Sequence, residues 1–456
     1  MEAEKITTTL REDLTELLDA PRELWIIYGA TFFEYLGIFS LLPTLTLWLS
    51  QDFGFSDERA GWWAAAFSTV LTLLVFLIGA VADFIGVRRT LLLGFAIAAA
   101  TRLFMASTTT STWALISLFS FALAYASISP VLQTAVQRVS TPRTRSFAFS
   151  LWYVSFNIAG VFAGQIIDLS SAPFVEPWGK KLIHRIIELP LLGPTELSAH
   201  RVILALGSFF AACAFVTILF LRKDFEHRGT ERQGTSELLV TEKKPNPFVA
   251  LREVFGDATF WRFILMMCLI SLVRMMFQHM HFTWPKYVTR ELGEDFKIGT
   301  VWSINAFLII FLAPLGTALT RGRRPLDVLL VGAFISSLSP FILCLGSALP
   351  YQIAMILVLT VGEALWSPRL YEYNVSIAPR GRESTYVSLA QLPWFMAKFF
   401  VGPTSGILLT AFCPAEGARR SAILWAIIGL STMLGPVGIF ALRGWLTKKR
   451  EVAEPT

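Results

Sequence analysis

Charge is what this chain has least of. Lys, Arg, Asp and Glu make up 16% of its 456 residues, against about 25% in soluble globular proteins, so there is too little polar material to coat a water-soluble particle of this size. Cysteine is scarce too. Cys213, Cys268, Cys344 and Cys413 stand singly, which excludes a metal-ligand spacing and leaves them reading as small buried apolar residues. No nucleophile sits beside a base, no glycine-rich loop cradles a phosphate and no histidine cluster suits a metal, so neither an enzyme nor a cofactor or metal site is expected. No soluble segment is large enough to present a basic face, and the net charge of +6 is therefore not read as nucleic-acid binding. A cleavable signal is also not expected, because residues 1–23 are polar and acidic and the first apolar run is too long for a signal core.

What is present is apolar length. Hydrophobic residues reach 54% and the mean hydropathy is +0.58. They gather in windows of about 20 residues or more, the length that spans a hydrocarbon core as helix. Twelve windows are read, at about 24–49, 59–82, 89–108, 112–137, 146–169, 201–221, 260–289, 298–320, 325–347, 350–375, 385–412 and 420–446. The fold class expected is an all-α membrane protein of about twelve transmembrane helices in two six-helix bundles. The domains are 1–23 as a cytoplasmic segment, 24–221 and 259–446 as the bundles, 222–258 as a polar cytoplasmic linker and 447–456 as a tail.

Orientation follows from the basic residues of the short connections. Arg88 and Arg89, then Arg138, Arg143 and Arg145, then Arg321, Arg323 and Arg324, then Arg380 and Arg382, fall on one side, and the turns after the third and ninth windows hold no Lys or Arg. Both termini are assigned to the cytoplasm and the chain to the cell (inner) membrane, as a monomer in the bilayer. Residues 170–200 form a longer external segment, in which Trp178–Ile187 has cationic and apolar faces and reads either as a short interfacial helix or as a solvated loop.

Polar residues at mid-membrane depth cost free energy and so mark function. They are Tyr28, Thr31, Glu34 and Tyr35 in the first window, Tyr125, Ser129 and Gln133 in the fourth, and Tyr153 and Asn157 in the fifth. The second half adds Arg274, Gln278, His279 and His281, then Asn305, Glu363, and finally Gln391, Trp394 and Lys398. Steps of three and four put Arg274, Gln278 and His281 on one face, and likewise Gln391, Trp394 and Lys398. Glu34, Arg274, Glu363 and Lys398 lie roughly 15 to 23 Å from their window starts at about 1.5 Å per residue, hence near one depth. Glu363 and Glu34 are the candidate proton-coupling carboxylates. Arg274, Lys398, Gln278, His281, Asn157, Tyr35, Tyr125, Tyr153, Asn305, Trp366 and Trp394 are the candidate substrate-binding residues. The competing reading makes Glu363 a structural ion pair with Lys398 or Arg274. Arg102 is read as snorkelling or structural, on a peripheral helix.

After the second window the chain reads Gly79-x-x-x-Asp83-x-x-Gly86-x-Arg88-Arg89, and a degenerate copy with Thr320 in place of the acid follows the eighth. This turn, the candidate conformational element, resembles the signature of the major facilitator superfamily, with Phe84 departing from the usual basic residue. Within that superfamily the second half is similar to the proton-dependent oligopeptide transporters, through Phe277-Gln278, Thr283-Trp284-Pro285, Asn305, Gly362-Glu363 and Ser367-Pro368. In the first half Trp152-Tyr153 and Asn157 to Gly160 carry the likeness. The family's first-helix Glu-x-x-Glu-Arg falls on Tyr28, Thr31 and Phe32, and its fourth-helix lysine on Ser129, so those ionisable groups are missing.

The resemblance implies a secondary transporter whose bundles expose a central site alternately to each side. Proton-coupled uptake of small peptides or similar carboxylate-bearing solutes leads. The alternatives are proton-driven export of drug-like or metabolite compounds, and a non-transporting scaffold or sensor on the same fold.

Overall fold

The computed structural model describes residues 21–140, 145–175, 185–189, 193–222, 258–320, 322–377 and 392–446. In lipid every backbone polar group must be satisfied within its own segment, and the apolar windows accordingly fold as helices. The first half contains α1 (Arg22–Leu41), α2 (Leu45–Gln51), α3 (Asp57–Ile85), α4 (Val87–Ser107), α5 (Ser111–Val139), α6 (Arg145–Ser171) and α7 (Ala199–Leu219). The second contains α8 (Ala258–Phe282), α9 (Trp284–Leu292), α10 (Ile298–Leu319), α11 (Pro325–Ile342), α12 (Leu349–Ile377), α13 (Leu392–Phe412) and α14 (Ser421–Leu446). Ten of the described helical stretches are long and apolar enough to cross a membrane, with α1 and α2 counting as one stretch, Arg22–Gln51.

Between α6 and α7 the chain forms an antiparallel hairpin, β1 (Arg185–Leu189) with β2 (Gly193–Leu197), in which Ile186 faces Glu196 and Ile187 faces Thr195. This corrects the interfacial-helix expectation for Arg185, Ile186 and Ile187. The β-branched pair favours extended backbone, and Gly193 and Pro194 in the paired strand are poor helix formers. Trp178 to His184 lie outside the described residues, as do the expected linker from 223 to 257 and the tail from 447.

The described residues cluster into two compact units. The first takes in 21–42, 69–175 and 185–222; the second takes in 43–68 and 258–446. The boundary between these units runs through α3. In the first unit α4 packs on α5 and α7, and α1 on α6 and α7. In the second α11 packs on α12 and α14, and α8 on α13 and α14. Counted by window, these are the same pairings: third on fourth and sixth, first on fifth and sixth. The repeat suggested by the two turns thus extends to packing. It extends also to glycine placement, since a Cβ on Gly94 of α4 would come within 2.9 Å of Ile128 on α5, and one on Gly332 of α11 within 2.7 Å of the Gly362 carbonyl on α12.

Candidate functional site

The site grows from the contact between α11 and α12. A Cβ on Gly362 would lie 2.3 Å from Ser336 Oγ and 2.4 Å from Ser336 N, so only glycine lets the two backbones meet here. Trp366, one turn on from Gly362 and 1% exposed, donates from Nε1 to Ser336 Oγ at 3.0 Å. With Gly362 and Trp366 fixed against α11, the 100° step of the helix turns Glu363 towards α10. There Asn305 Nδ2 donates to Glu363 Oε2 at 2.9 Å and to Thr360 Oγ1 at 3.0 Å.

Cations from two further helices act on each other, and one of them acts on this carboxylate. The Arg274 guanidinium of α8 sits 5.3 Å from the Trp366 ring centroid, and its charge acts on Glu363 and on Lys398 of α13. Lys398 in turn acts on His281, which hydrogen-bonds the backbone of Phe277 and lies 5.9 Å from the Trp302 ring, centroid to centroid. Glu363, Arg274, Lys398, His281 and Asn305 are each half-buried. Gln278 is buried on the same helix as Arg274. The second unit therefore brings together, from α8, α10, α12 and α13, residues that lie up to 124 positions apart in the chain. Trp366 joins them as a buried support under Arg274 rather than as an exposed wall. The side chain of Trp394 and residue Gln391 lie outside the described residues.

The first-unit candidates fall into a different arrangement. Glu34 accepts from Arg102 through both oxygens, Nη2 to Oε1 at 2.9 Å and Nη1 to Oε2 at 3.2 Å, and both side chains are 1% exposed. Arg102 also donates to the Gly207 carbonyl at 3.3 Å and lies 4.5 Å from the Phe121 ring centroid. Its slot exists because Gly37 and Gly207 lack side chains: a Cβ on either would meet Arg102 at 3.0 Å and 3.3 Å. Arg102 is therefore interior, and the snorkelling reading is replaced by a structural one. Glu34 is held as half of a sealed pair, an arrangement its proton-coupling reading did not foresee.

Tyr125 lies near this pair and hydrogen-bonds Ser129. Tyr35 stacks on Phe156 at 4.9 Å, Tyr153 packs edge-on against the same ring at 4.8 Å, and Asn157 Nδ2 donates back to the Tyr153 carbonyl at 2.8 Å. These residues form an aromatic seam between α1 and α6.

In the turn after α3, Gly86 has φ +91°, a conformation that costs a side-chain-bearing residue strain. Arg88 then reaches the end of α7, donating to the Leu221 carbonyl at 2.7 Å and the Leu219 carbonyl at 3.1 Å. It satisfies carbonyls that the helix leaves open. Arg89 is exposed and Gly79 lies within α3, while the Asp83 side chain is outside what the structure describes. In the degenerate copy, Arg369 of α12 donates to the Thr320 carbonyl and hydroxyl at 3.0 and 2.9 Å. A helix C-terminus beside a basic side chain is thus common to both turns.

One cluster escaped the sequence reading. Just before the second window, Asp57 Oδ1 at the start of α3 accepts from Lys286 Nζ at 2.9 Å and from Arg290 at 2.7 Å, both on α9. Lys286 also donates to Ser50, and Gln51 donates to Glu294 at 2.9 Å. Burial alone raises the Asp57 carboxyl; the hydrogen bond from Arg290 and the charges of Lys286 and Arg290 outweigh it and hold it below the usual carboxylate range. Alongside, glycines let α3 and α13 touch backbone to backbone, a Cβ on Gly402 falling 2.5 Å from the Gly61 carbonyl. The seventh window, read unbroken to residue 289, hid the signal: the structure ends α8 at Phe282 and starts a short helix carrying both cations at Trp284.

Helices of spanning length, an internal repeat and a polar cluster set at mid-span define a multi-pass membrane transporter. The profile of the Major Facilitator Superfamily matches residues 27–403, and the chain belongs to that family. Among named relatives it is 22% identical over 440 residues to "Uncharacterized MFS-type transporter YqjV" of Bacillus subtilis (strain 168), covering 92% of this chain and 93% of the relative. Among solved structures it is similar to a POT family transporter in complex with 5-aminolevulinic acid, at 13% identity and a TM-score of 0.70, covering 94% of this chain and 97% of that one. The POT family transporter PepTSo gives 17% identity and a TM-score of 0.68, covering 94% and 99%. Family and fold point to a transporter and not to an enzyme.

Proposed function

We propose that this protein is a proton-coupled, alternating-access carrier of small peptides or similar carboxylate-bearing solutes. The observation that carries the reading is the half-buried Glu363 in the middle of an apolar helix, held by Asn305 and acted on by Arg274. A carboxylate at that depth is retained only against a substantial free-energy cost. The solved POT relatives, one with 5-aminolevulinic acid bound, support the class of solute.

In this mechanism a proton taken up on Glu363 removes its negative charge and with it the hold on Arg274. Arg274 and Lys398 then pair with the carboxylate of the solute, a geometry guanidinium favours. Loss of the proton to the other side restores the Glu363–Arg274 attraction and expels the solute. Access to the site alternates as the two six-helix bundles rock, in a cell membrane with both termini cytoplasmic and the protein acting as a monomer.

The test is transport in proteoliposomes under an imposed proton gradient of either direction, with alanyl-phenylalanine and its N-acetyl derivative as probes. Wild-type protein accumulates at least one of them. Glu363→Gln retains exchange between equal concentrations and loses gradient-driven accumulation at least tenfold. Unchanged accumulation by Glu363→Gln would remove that residue from coupling.

A further inference from the structure

Two small residues of α11, Gly332 and Ser336, stand one turn apart and grip Trp366 at two points. A Cβ on Gly332 would lie 2.7 Å from the Trp366 backbone nitrogen, so the bare glycine sets how near α12 comes. Ser336 is fully buried, and its Oγ donates to the Leu359 carbonyl at 3.2 Å while accepting from Trp366 Nε1 at 3.0 Å. A hydroxyl whose hydrogen is committed to a carbonyl presents its lone pairs to the indole. A buried N–H turned away from that acceptor would go unpaired at a cost, which fixes the direction of the ring.

On its other side the ring meets α8 twice. The Arg274 guanidinium lies 5.3 Å from the ring centroid, and Phe277, three residues on, packs edge-on with the ring centroids 6.2 Å apart. At 1% exposure Trp366 has no face to offer a solute, so what it contributes to transport passes through Arg274. Two different forces then act on that guanidinium. Attraction to the Glu363 carboxylate ends when the carboxylate takes up its proton. Attraction to the face of the indole comes from the ring quadrupole and is the same in either protonation state. In the carrier reading, the solute is captured while Glu363 is neutral. A guanidinium released onto a loose side chain at that moment would have to be ordered again by the solute, and affinity would fall by that cost.

We infer that Trp366 is a positioning residue: set by Gly332 and Ser336, it keeps the Arg274 guanidinium in place for the solute carboxylate while Glu363 is protonated. The inference rests on the carrier reading above and adds the group that lets Arg274 change partners.

The experiment is equilibrium exchange by the full-length protein in proteoliposomes, with alanyl-phenylalanine or its N-acetyl derivative, whichever the wild type moves, reading half-saturation and maximal rate separately. Trp366→Leu raises the half-saturating concentration at least about fivefold, the order of a desolvated cation–π contact, with the maximal rate within twofold. Trp366→Phe, which keeps an aromatic face, stays under that rise. The effect of Trp366→Leu persists in the Glu363→Gln background and falls below twofold in the Arg274→Gln background, because the ring acts through the guanidinium. Where Arg274→Gln exchanges too little to read, the Glu363→Gln background decides. Should Trp366→Leu fail to fold, Ser336→Ala takes its place, with a rise of at least twofold and the same dependence on background. A smaller rise, a loss confined to the maximal rate, a Trp366→Phe as impaired as Trp366→Leu, an effect that vanishes in Glu363→Gln, or one of twofold or more in Arg274→Gln would each overturn the inference and leave the carrier reading standing. No exchange of either probe by the wild type would remove both.

Discussion

Glu34 and Glu363 are carboxylates at similar depth, and their neighbours set them to different work. Glu34 has a guanidinium on both oxygens within a sealed slot, so releasing a proton to it would strand the charge of Arg102. Glu363 has a neutral amide donor and partial exposure, which lets its charge change at lower cost. Removing one member of a buried ion pair costs about 3 to 5 kcal/mol, whereas replacing both with apolar residues of similar volume is often neutral. Glu34→Gln and Arg102→Met are therefore expected each to lower the melting temperature in detergent clearly, and Glu34→Leu with Arg102→Met to recover most of the loss. Uptake per folded molecule stays within twofold of wild type in the double variant. Loss of gradient-driven uptake there, with stability regained, would return Glu34 to the coupling role. Position and type made both acids visible in the sequence. Which of them had a cation of its own was not visible, because the slot for Arg102 depends on Gly37 and Gly207 from two other helices.

Between elements, the contact of Asp57 with Lys286 and Arg290 joins the start of α3 to α9. The folded state holds the Asp57 carboxyl below its ordinary value, whereas an unfolded Asp titrates at about 3.9. The folded protein thus binds fewer protons at this group than the unfolded one. Its stabilisation is complete above that value and is lost as pH falls through the lower folded pKa. Melting temperature should drop between pH 5 and 3 more steeply in the wild type than in Asp57→Asn, which is less stable at pH 7 and flatter below. Parallel profiles would show that the pair contributes nothing. Helix existence and the α3–α4 turn could be read from apolar length and from Gly86. The hairpin of β1 and β2 could not, since a ten-residue stretch with both cationic and apolar members fits a helical and an alternating pattern equally.

For the whole molecule, the repeat of packing partners in the two halves is the feature that supports the proposed alternating exposure. It was foreshadowed by two copies of one turn, whereas the attachment of 43–68 to the second unit was not. That attachment is made by backbone contact at Gly61, Gly402 and Gly406 and by Lys286 and Arg290, none of which has a periodic pattern to betray it. The cluster of Glu363, Arg274, Lys398, His281 and Asn305 was legible because five ionisable or amide side chains in apolar helices have few reasons to be there. What the structure adds is the order of contacts, with Asn305 on the carboxylate and Arg274 seated over Trp366.

Under the proposed mechanism Glu363 gains and loses a proton as solute binds, which infrared difference spectroscopy of the carboxyl stretch reports. Addition of N-acetyl-alanyl-phenylalanine to the wild-type protein in nanodiscs should change a protonated-carboxyl band that survives in the Glu34→Leu, Arg102→Met double variant and vanishes in Glu363→Gln. The same band appearing undiminished in Glu363→Gln would contradict the account.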